Sequence, residues 1–204
     1  MSEAEKGNGT KILFTILFAI AFTGFMVFAL TSDMFIVRNI EVKNTTKLDI
    51  DKIKKDSGII EGRNIFLQRY FKAAVKLKEN ARIQEAKIYP VFPNKVEIYI
   101  EERNENYQIS DENGYYIIDK NGYIIRKSDE LQKVIMILGL KTTSLSQKKR
   151  IERDDLDVLE KINKIKYVLD YYGLTDKVNS IEKKDRQFIL DLKEEKKKII
   201  SLHL

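Results

Sequence analysis

Catalysis in this chain would have to be built from very few groups. Cysteine is absent and His203 is the single histidine, so disulfides, thiolate metal ligation and Cys–His nucleophilic chemistry are excluded. His203 stands next to the last residue of the sequence, where fraying is expected, and it cannot anchor a triad. A Ser–Lys dyad is the nucleophile left to consider, because membrane-anchored signal peptidases carry one just outside their first span. Ser32-Asp33-Met34-Phe35 occupies that place but lacks their Ser-Met-x-Pro pattern, and a serine without a positioned base is inert. Glu101, Glu102, Asp111 and Asp119 could be posed as an acid–base pair, yet strand-end solvation and turn hydrogen bonds account for carboxylates at such places. Asp111-x-Asn113-Gly114 and Asp119-x-Asn121-Gly122 suggest calcium loops, but an EF-hand needs about twelve residues closed by a Glu. The expectation is no enzyme, no metal and no cofactor.

The element that must position everything else is apolar. Ile12 to Leu30 contains no charged residue, and at about 1.5 Å per residue it reaches roughly 28 Å, the thickness of a bilayer's hydrocarbon core. A cleaved signal peptide would have a shorter apolar core and end in small residues; Ala29 and Thr31 make a poor version of that signature. The reading is an uncleaved anchor: a cytoplasmic tail at 1–11, a transmembrane helix at 12–30, and extracytoplasmic domains beyond Ser32. Lys6 and Lys11 are matched by Arg38, Lys43 and Lys47, so the positive-inside count does not set orientation. The short leading segment before a large following domain favours the N-terminus inside.

The formal net charge is +6, from 37 basic and 31 acidic residues. Their interspersion describes a solvated mixed surface. The runs Lys148–Arg150 and Lys196–Lys198 lack the interleaved aromatics of a nucleic-acid site. A basic ectodomain could still lean on anionic head groups or cell-wall polymers.

After the anchor, Phe35 to Val42 reads as a strand whose register slips between Val37 and Ile40, so a bulge or a start near Asn39 is expected. Asp49 caps a short helix ended by Gly58. A turn at Gly62–Phe66 leads into a second helix to about Glu79, with Phe66, Tyr70, Ala74 and Leu77 at helical spacing. Strands over Ile83–Tyr89 and Val96–Glu101 follow, joined by a stiff turn bracketed by Pro90 and Pro93. The order strand, helix, helix, strand, strand places two helices on one face of a three-stranded sheet.

Three motifs in that order resemble the POTRA domain of the bacterial cell-division proteins FtsQ/DivIB: Phe35-x-Val37-x-x-Ile40-x-Val42, Gly62-x-Asn64-Ile65-Phe66, and Pro93-Asn94-x-Val96-x-Ile98-x-Ile100-x-Glu102-Arg103. Asn44 stands where that family commonly has glycine, and asparagine tolerates the left-handed conformation. The POTRA-like domain is assigned to 33–103.

Residues 104–204 resemble the β domain that follows POTRA in this family, with Asp119-x-x-Gly122 at the family's Asp-x-x-Gly turn. Two Asn-Gly pairs, at Asn113-Gly114 and Asn121-Gly122, predict a three-stranded antiparallel meander. Val134–Leu138 is a further strand closed by Gly139. Asp154 or Asp155 then caps a helix with Leu156, Leu159, Ile162, Ile165, Leu169 and Tyr172 on one face and Gly173 past its end. Such a stripe packs on a sheet or binds a partner helix. Strands at 178–181, 188–192 and 199–202 complete an α+β chain, the last two joined by a charged turn at 193–198. The family usually continues with a further helix and strand, which implies truncation or a differently built C-terminal edge.

What the resemblance implies is a non-enzymatic, single-pass membrane scaffold of the divisome, located at the septum and binding FtsL-like and FtsB/DivIC-like proteins. The alternative is another anchored envelope assembly or transport factor with a POTRA-like module. No nucleic acid and no small-molecule substrate is expected. Partner binding is assigned to Phe188, Leu190, Leu192, Ile199, Ile200 and Leu202, where a strand at a sheet edge could accept one from a partner.

Overall fold

A computed structural model describes residues 3–142, 145–193 and 200–203 of the 204-residue chain. It opens with α1 (Glu3–Thr31), of which Gly9–Thr31 is long and apolar enough to cross a membrane. The chain then divides into two compact units, the first comprising residues 1–77 and 86–100 and the second residues 78–85 and 101–204.

The first unit carries β1 (Asn39–Lys43), α2 (Ile50–Ser57), α3 (Tyr70–Leu77) and most of β2 (Ile83–Val91) and β3 (Lys95–Glu102). The sheet order is β1-β3-β2, with β1 parallel to β3 in the register Ile40↔Val96 and Val42↔Ile98. β2 is an edge strand, the position in a sheet where a proline such as Pro90 is tolerated. Of the two readings of the register slip, the start near Asn39 is the one found: β1 begins there, and residues 33–35 form a 3-10 turn capped by the Ser32 side chain. Asp49 accepts hydrogen bonds from the Asp51 and Lys52 N–H groups at the start of α2, and Gly58 ends it with φ 69°. Asn44 adopts φ 60°. The second helix is shorter than expected: 65–67 form a 3-10 turn and α3 starts only at Tyr70. Val37, Ile40, Ile53, Ile65, Val96 and Ile98 are buried, each worth about 2 kcal/mol in removed apolar surface.

The opposite face of this sheet holds an ion cluster. Glu97 is 9 % exposed and takes Lys43 Nζ at 2.8 Å, Lys95 Nζ at 2.7 Å and the Tyr99 hydroxyl at 2.8 Å. These donors, Lys43 first, push its carboxyl from 4.5 down to about 2. A carboxyl with a depressed folded-state pKa adds stability that is complete above its unfolded value and is lost as pH falls through the folded one. Acid unfolding followed by circular dichroism should therefore show a loss of stability between pH 4.5 and 2 that Glu97→Gln reduces; an identical acid limb in the variant would contradict the cluster's role.

The second unit is built on a seven-stranded sheet. In chain order its strands are β4 (Tyr107–Asp111), β5 (Gly114–Ile118), β6 (Ile124–Ser128), β7 (Ile135–Leu138), β8 (Val178–Lys184), β9 (Gln187–Leu192) and β10 (Ile200–His203), with α4 (Arg153–Tyr171) between β7 and β8. Across the sheet the order is β10-β9-β8-β7-β4-β5-β6. β4-β5-β6 is the antiparallel meander, while β7 runs parallel to both β4 and β8. The first turn differs from the expected Asn-Gly pair: Asp111 pairs with Gly114, so Glu112-Asn113 occupy the loop and Gly114 opens the strand at φ 135°.

The stripe on α4 packs against the sheet. Leu159, Ile162 and Ile165 join Tyr107, Ile137, Ile181 and Phe188 in one core, with Leu156 and Leu169 partly buried beside it. Tyr172 does not join it and is exposed, because the helix ends there in a Schellman motif: Leu174 N–H donates to the Leu169 carbonyl and Gly173 N–H to that of Asp170. Glu152 occupies the N-cap position and makes no side-chain cap bond. Asp155, expected there as a cap, is buried inside the first turn and instead accepts hydrogen bonds from the Lys141 and Thr142 N–H groups and the Thr142 hydroxyl. An acceptor-only carboxylate facing two free backbone donors of the preceding loop satisfies more groups there than at the helix end.

Candidate partner interface

In the first unit, motifs far apart in sequence converge beside the end of α1. Ile36 bridges Asn64, Val37 N–H donates to the Arg63 carbonyl at 3.0 Å, and Gly62 N–H returns to the Val37 carbonyl at 2.8 Å. Asn64, 8 % exposed, accepts from Phe66 N–H through its side-chain oxygen. Its amide donates to the carbonyls of Ala29 at 2.8 Å and Leu30 at 3.1 Å. These are carbonyls of the last helical turn, which has no further partners of its own. Arg38 N–H donates to the Asn94 carbonyl at 2.9 Å, next to Pro93. The Phe35 and Phe66 rings stand 5.2 Å apart, while Ile40 and Val42 lie on β1 in register with β3.

In the second unit, two further motifs meet. Arg103, of the Glu102-Arg103 pair, donates through Nη1 to Asp119 at 2.6 Å, and its guanidinium lies 4.2 Å from the Tyr123 ring centre. Asp119 also accepts the N–H groups of Asn121 and Tyr123. Gly122 has φ +80°, and a Cβ there would come within 2.8 Å of Ile151 and 2.9 Å of Leu156. Asp119 is thus occupied as a turn-holding acceptor. Ser32 caps a 3-10 turn, and His203, for which fraying was expected, lies in β10 opposite Gln187. Among the described residues no group of three metal-ligating side chains occurs.

The partner-assigned residues fall on β9 and β10. β10 is the outermost strand and pairs antiparallel with β9: Ile200↔Leu190, Ser201↔Ile189, Leu202↔Phe188. Phe188 and Leu190 belong to the core at 3 % exposure each, and Leu192 packs against it; β9 is enclosed by β8 and β10. Ile199 and the turn at 194–198 lie outside the described residues. The other edge strand, β6, is partly strapped: Ile124 N–H donates to the Lys149 carbonyl, and Lys148 N–H to that of Ile124. Of the two edges of the seven-stranded sheet, β6 is strapped at Ile124, and the outer side of β10 pairs with no other described strand.

The family described as POTRA domain, FtsQ-type, matches residues 35–103. Within that span the chain carries an FtsQ-type POTRA domain, and it is similar to proteins named as cell division proteins DivIB and FtsQ. Cell division protein DivIB of Clostridium botulinum strain Hall is 32% identical over 126 residues, covering 62% of this chain and 48% of that protein. Cell division protein FtsQ of Syntrophotalea carbinolica is 32% identical over 98 residues, covering 47% and 34%. The chain spans about half the length or less of these curated relatives. The matched span contains Asn64 and Arg103, whereas Asp119 lies beyond it. Sequence reasoning missed the tie from Asn64 to α1 and the Asp155 clamp. Both join residues distant in sequence, and the only local signal was a short polar residue at the start of a turn or helix.

Proposed function

We propose that this chain is a non-enzymatic, single-pass membrane scaffold of the bacterial division machinery. Its N-terminal tail (1–11) is cytoplasmic, and its POTRA-like domain (33–103) and β domain (104–204) are extracytoplasmic at the septum. It links FtsL-like and FtsB/DivIC-like proteins. The relatives' names support a division role, and α1 supports a membrane anchor. The observation that carries the partner assignment is the terminal position of β10 in the seven-stranded sheet, since an outermost strand offers a row of backbone groups for strand addition. The partner strand is received on β10 itself, with Ile200 and Leu202 in the receiving strand and Phe188 and Leu190 beneath it as support. Charges at 193–198 steer the encounter, more weakly at high salt.

Successive N–H groups in an antiparallel strand point alternately inward and outward. Ile200→Pro and Ser201→Pro therefore test the two sides of β10 separately. One of the two should retain the circular dichroism of the parent chain and lose co-purification of an FtsB/DivIC-like partner from dividing cells. Undiminished co-purification by both variants would eliminate strand addition at β10. Capture of transport or envelope-assembly components in place of division proteins would favour the alternative module.

A further inference from the structure

A row of aromatic rings leads from the anchor onto the surface of the first unit. Phe28, in the last turns of α1, packs edge-on to Phe35 at 6.1 Å; Phe35 stands 5.2 Å from Phe66, and Phe66 5.3 Å from Phe92. Phe66 is 45 % and Phe92 57 % exposed, an arrangement that in water leaves large apolar surface uncovered in one contiguous patch. Neighbouring Met34 and Leu67 are exposed as well.

The row cannot swing away from the helix end. The Asn64 amide holds the carbonyls of Ala29 and Leu30, its oxygen holds the Phe66 N–H, and Ser32 N–H donates to the Phe28 carbonyl. Phe66 is thus fixed within two ring contacts of a side chain on the apolar helix itself. Exposed Arg63 and Arg69 bracket the 3-10 turn that carries Phe66, and exposed Arg38 adjoins the Phe92–Asn94 turn through its bond to the Asn94 carbonyl. The carboxylates nearest in sequence are Asp33 and Glu61. Apolar rings continuous with a spanning helix, edged by guanidinium groups, match the layered chemistry of a lipid interface: acyl and carbonyl region for the rings, phosphate for the arginines.

We propose that the Phe35–Phe66–Phe92 row is a membrane seat: the rings lie in the head-group region of an anionic leaflet beside the exit of α1, with Arg63 and Arg69 on lipid phosphates, so that the POTRA domain is held at one orientation to the bilayer. This rests on the reading of α1 as a transmembrane anchor. Its consequence is that the domain presents one constant face outward rather than rotating freely on a tether.

The chain contains no tryptophan, so single tryptophans report unambiguously. Phe66→Trp, Phe92→Trp and Phe14→Trp versions of the full chain are reconstituted without other proteins into phosphatidylglycerol-containing vesicles carrying lipids brominated at shallow or deep acyl positions. Phe14→Trp should be quenched by deep bromines, which checks the span. Phe66→Trp and Phe92→Trp should show blue-shifted emission, quenching by shallow bromines and protection from iodide, with the quenching reduced by Arg63→Glu/Arg69→Glu. Quenching at position 14 with none at 66 or 92 overturns the seat and leaves the anchor standing. No quenching at position 14 overturns the anchor and the seat together. Protection of 66 and 92 only after a partner protein is added overturns the seat in favour of a protein interface.

Discussion

Asp119→Ala is expected to destabilise the second unit by about 3–5 kcal/mol, the cost typical of removing one partner from a buried ion pair. Asp119 is 2 % exposed and is the acceptor for Arg103 Nη1 and for the N–H groups of Asn121 and Tyr123. Alanine leaves the Arg103 guanidinium, whose side chain is 13 % exposed, facing a vacated acceptor, and strips the turn of its two side-chain bonds. Arg103→Met should cost less, because the carboxylate keeps its backbone donors. The double variant Arg103→Met/Asp119→Asn should cost less than the sum of its parts, since the two groups share one interaction. Urea denaturation followed by circular dichroism gives these differences. A cost below about 1 kcal/mol for Asp119→Ala, the size of a single ordinary hydrogen bond, would mean that the turn is held by something else.

The second large effect is expected at Gly139, just beyond β7. A Cβ there would lie 2.3 Å from the Lys183 carbonyl oxygen and 3.2 Å from its carbon, and the backbone stands at φ +80°. The left-handed conformation alone costs an alanine about 1–2 kcal/mol. The clash adds to this, because the colliding atoms belong to the backbone of β8 and cannot rotate aside. Gly139→Ala should therefore lose well over 2 kcal/mol and loosen the pairing Leu138↔Glu182, visible as faster hydrogen exchange along β7 and β8. Gly173→Ala is the internal comparison: φ is +66° but nothing lies within 4 Å, so it should carry only the conformational cost. Equal losses at the two glycines would show that the close approach at Gly139 does not matter.

Much of the fold was legible because it is written in local patterns. The β-branched alternation of Val96, Ile98 and Ile100, the cap at Asp49, the stop at Gly58 and the 3.6-residue stripe on α4 all act over a few residues, and each is found in the structure. Boundaries were less legible. Phe35 to Arg38 has strand-forming residues, but Phe35 closes a 3-10 turn and residues 36–38 make an isolated bridge to Asn64 and backbone bonds with Gly62, Arg63 and Asn94. Phe66 was read on a helical face, yet it belongs to a separate turn ordered by Asn64.

By itself the sequence determined the apolar helix, the strand–helix–helix–strand–strand order of the first unit, the meander and helix of the second, and the likeness of residues 35–103 to an FtsQ-type POTRA domain. Those properties follow from hydrophobic period, turn residues and composition, which neighbours along the chain can enforce. Only the tertiary structure decided that Arg103 meets Asp119, that Asn64 holds the end of α1, that Asp155 clamps a loop instead of capping its helix, and that β10 is the outermost strand. Each of these joins residues separated by many positions or depends on strand order. Loop-closure entropy, packing and the satisfaction of buried polar groups choose among such pairings jointly, and no window of sequence contains that choice.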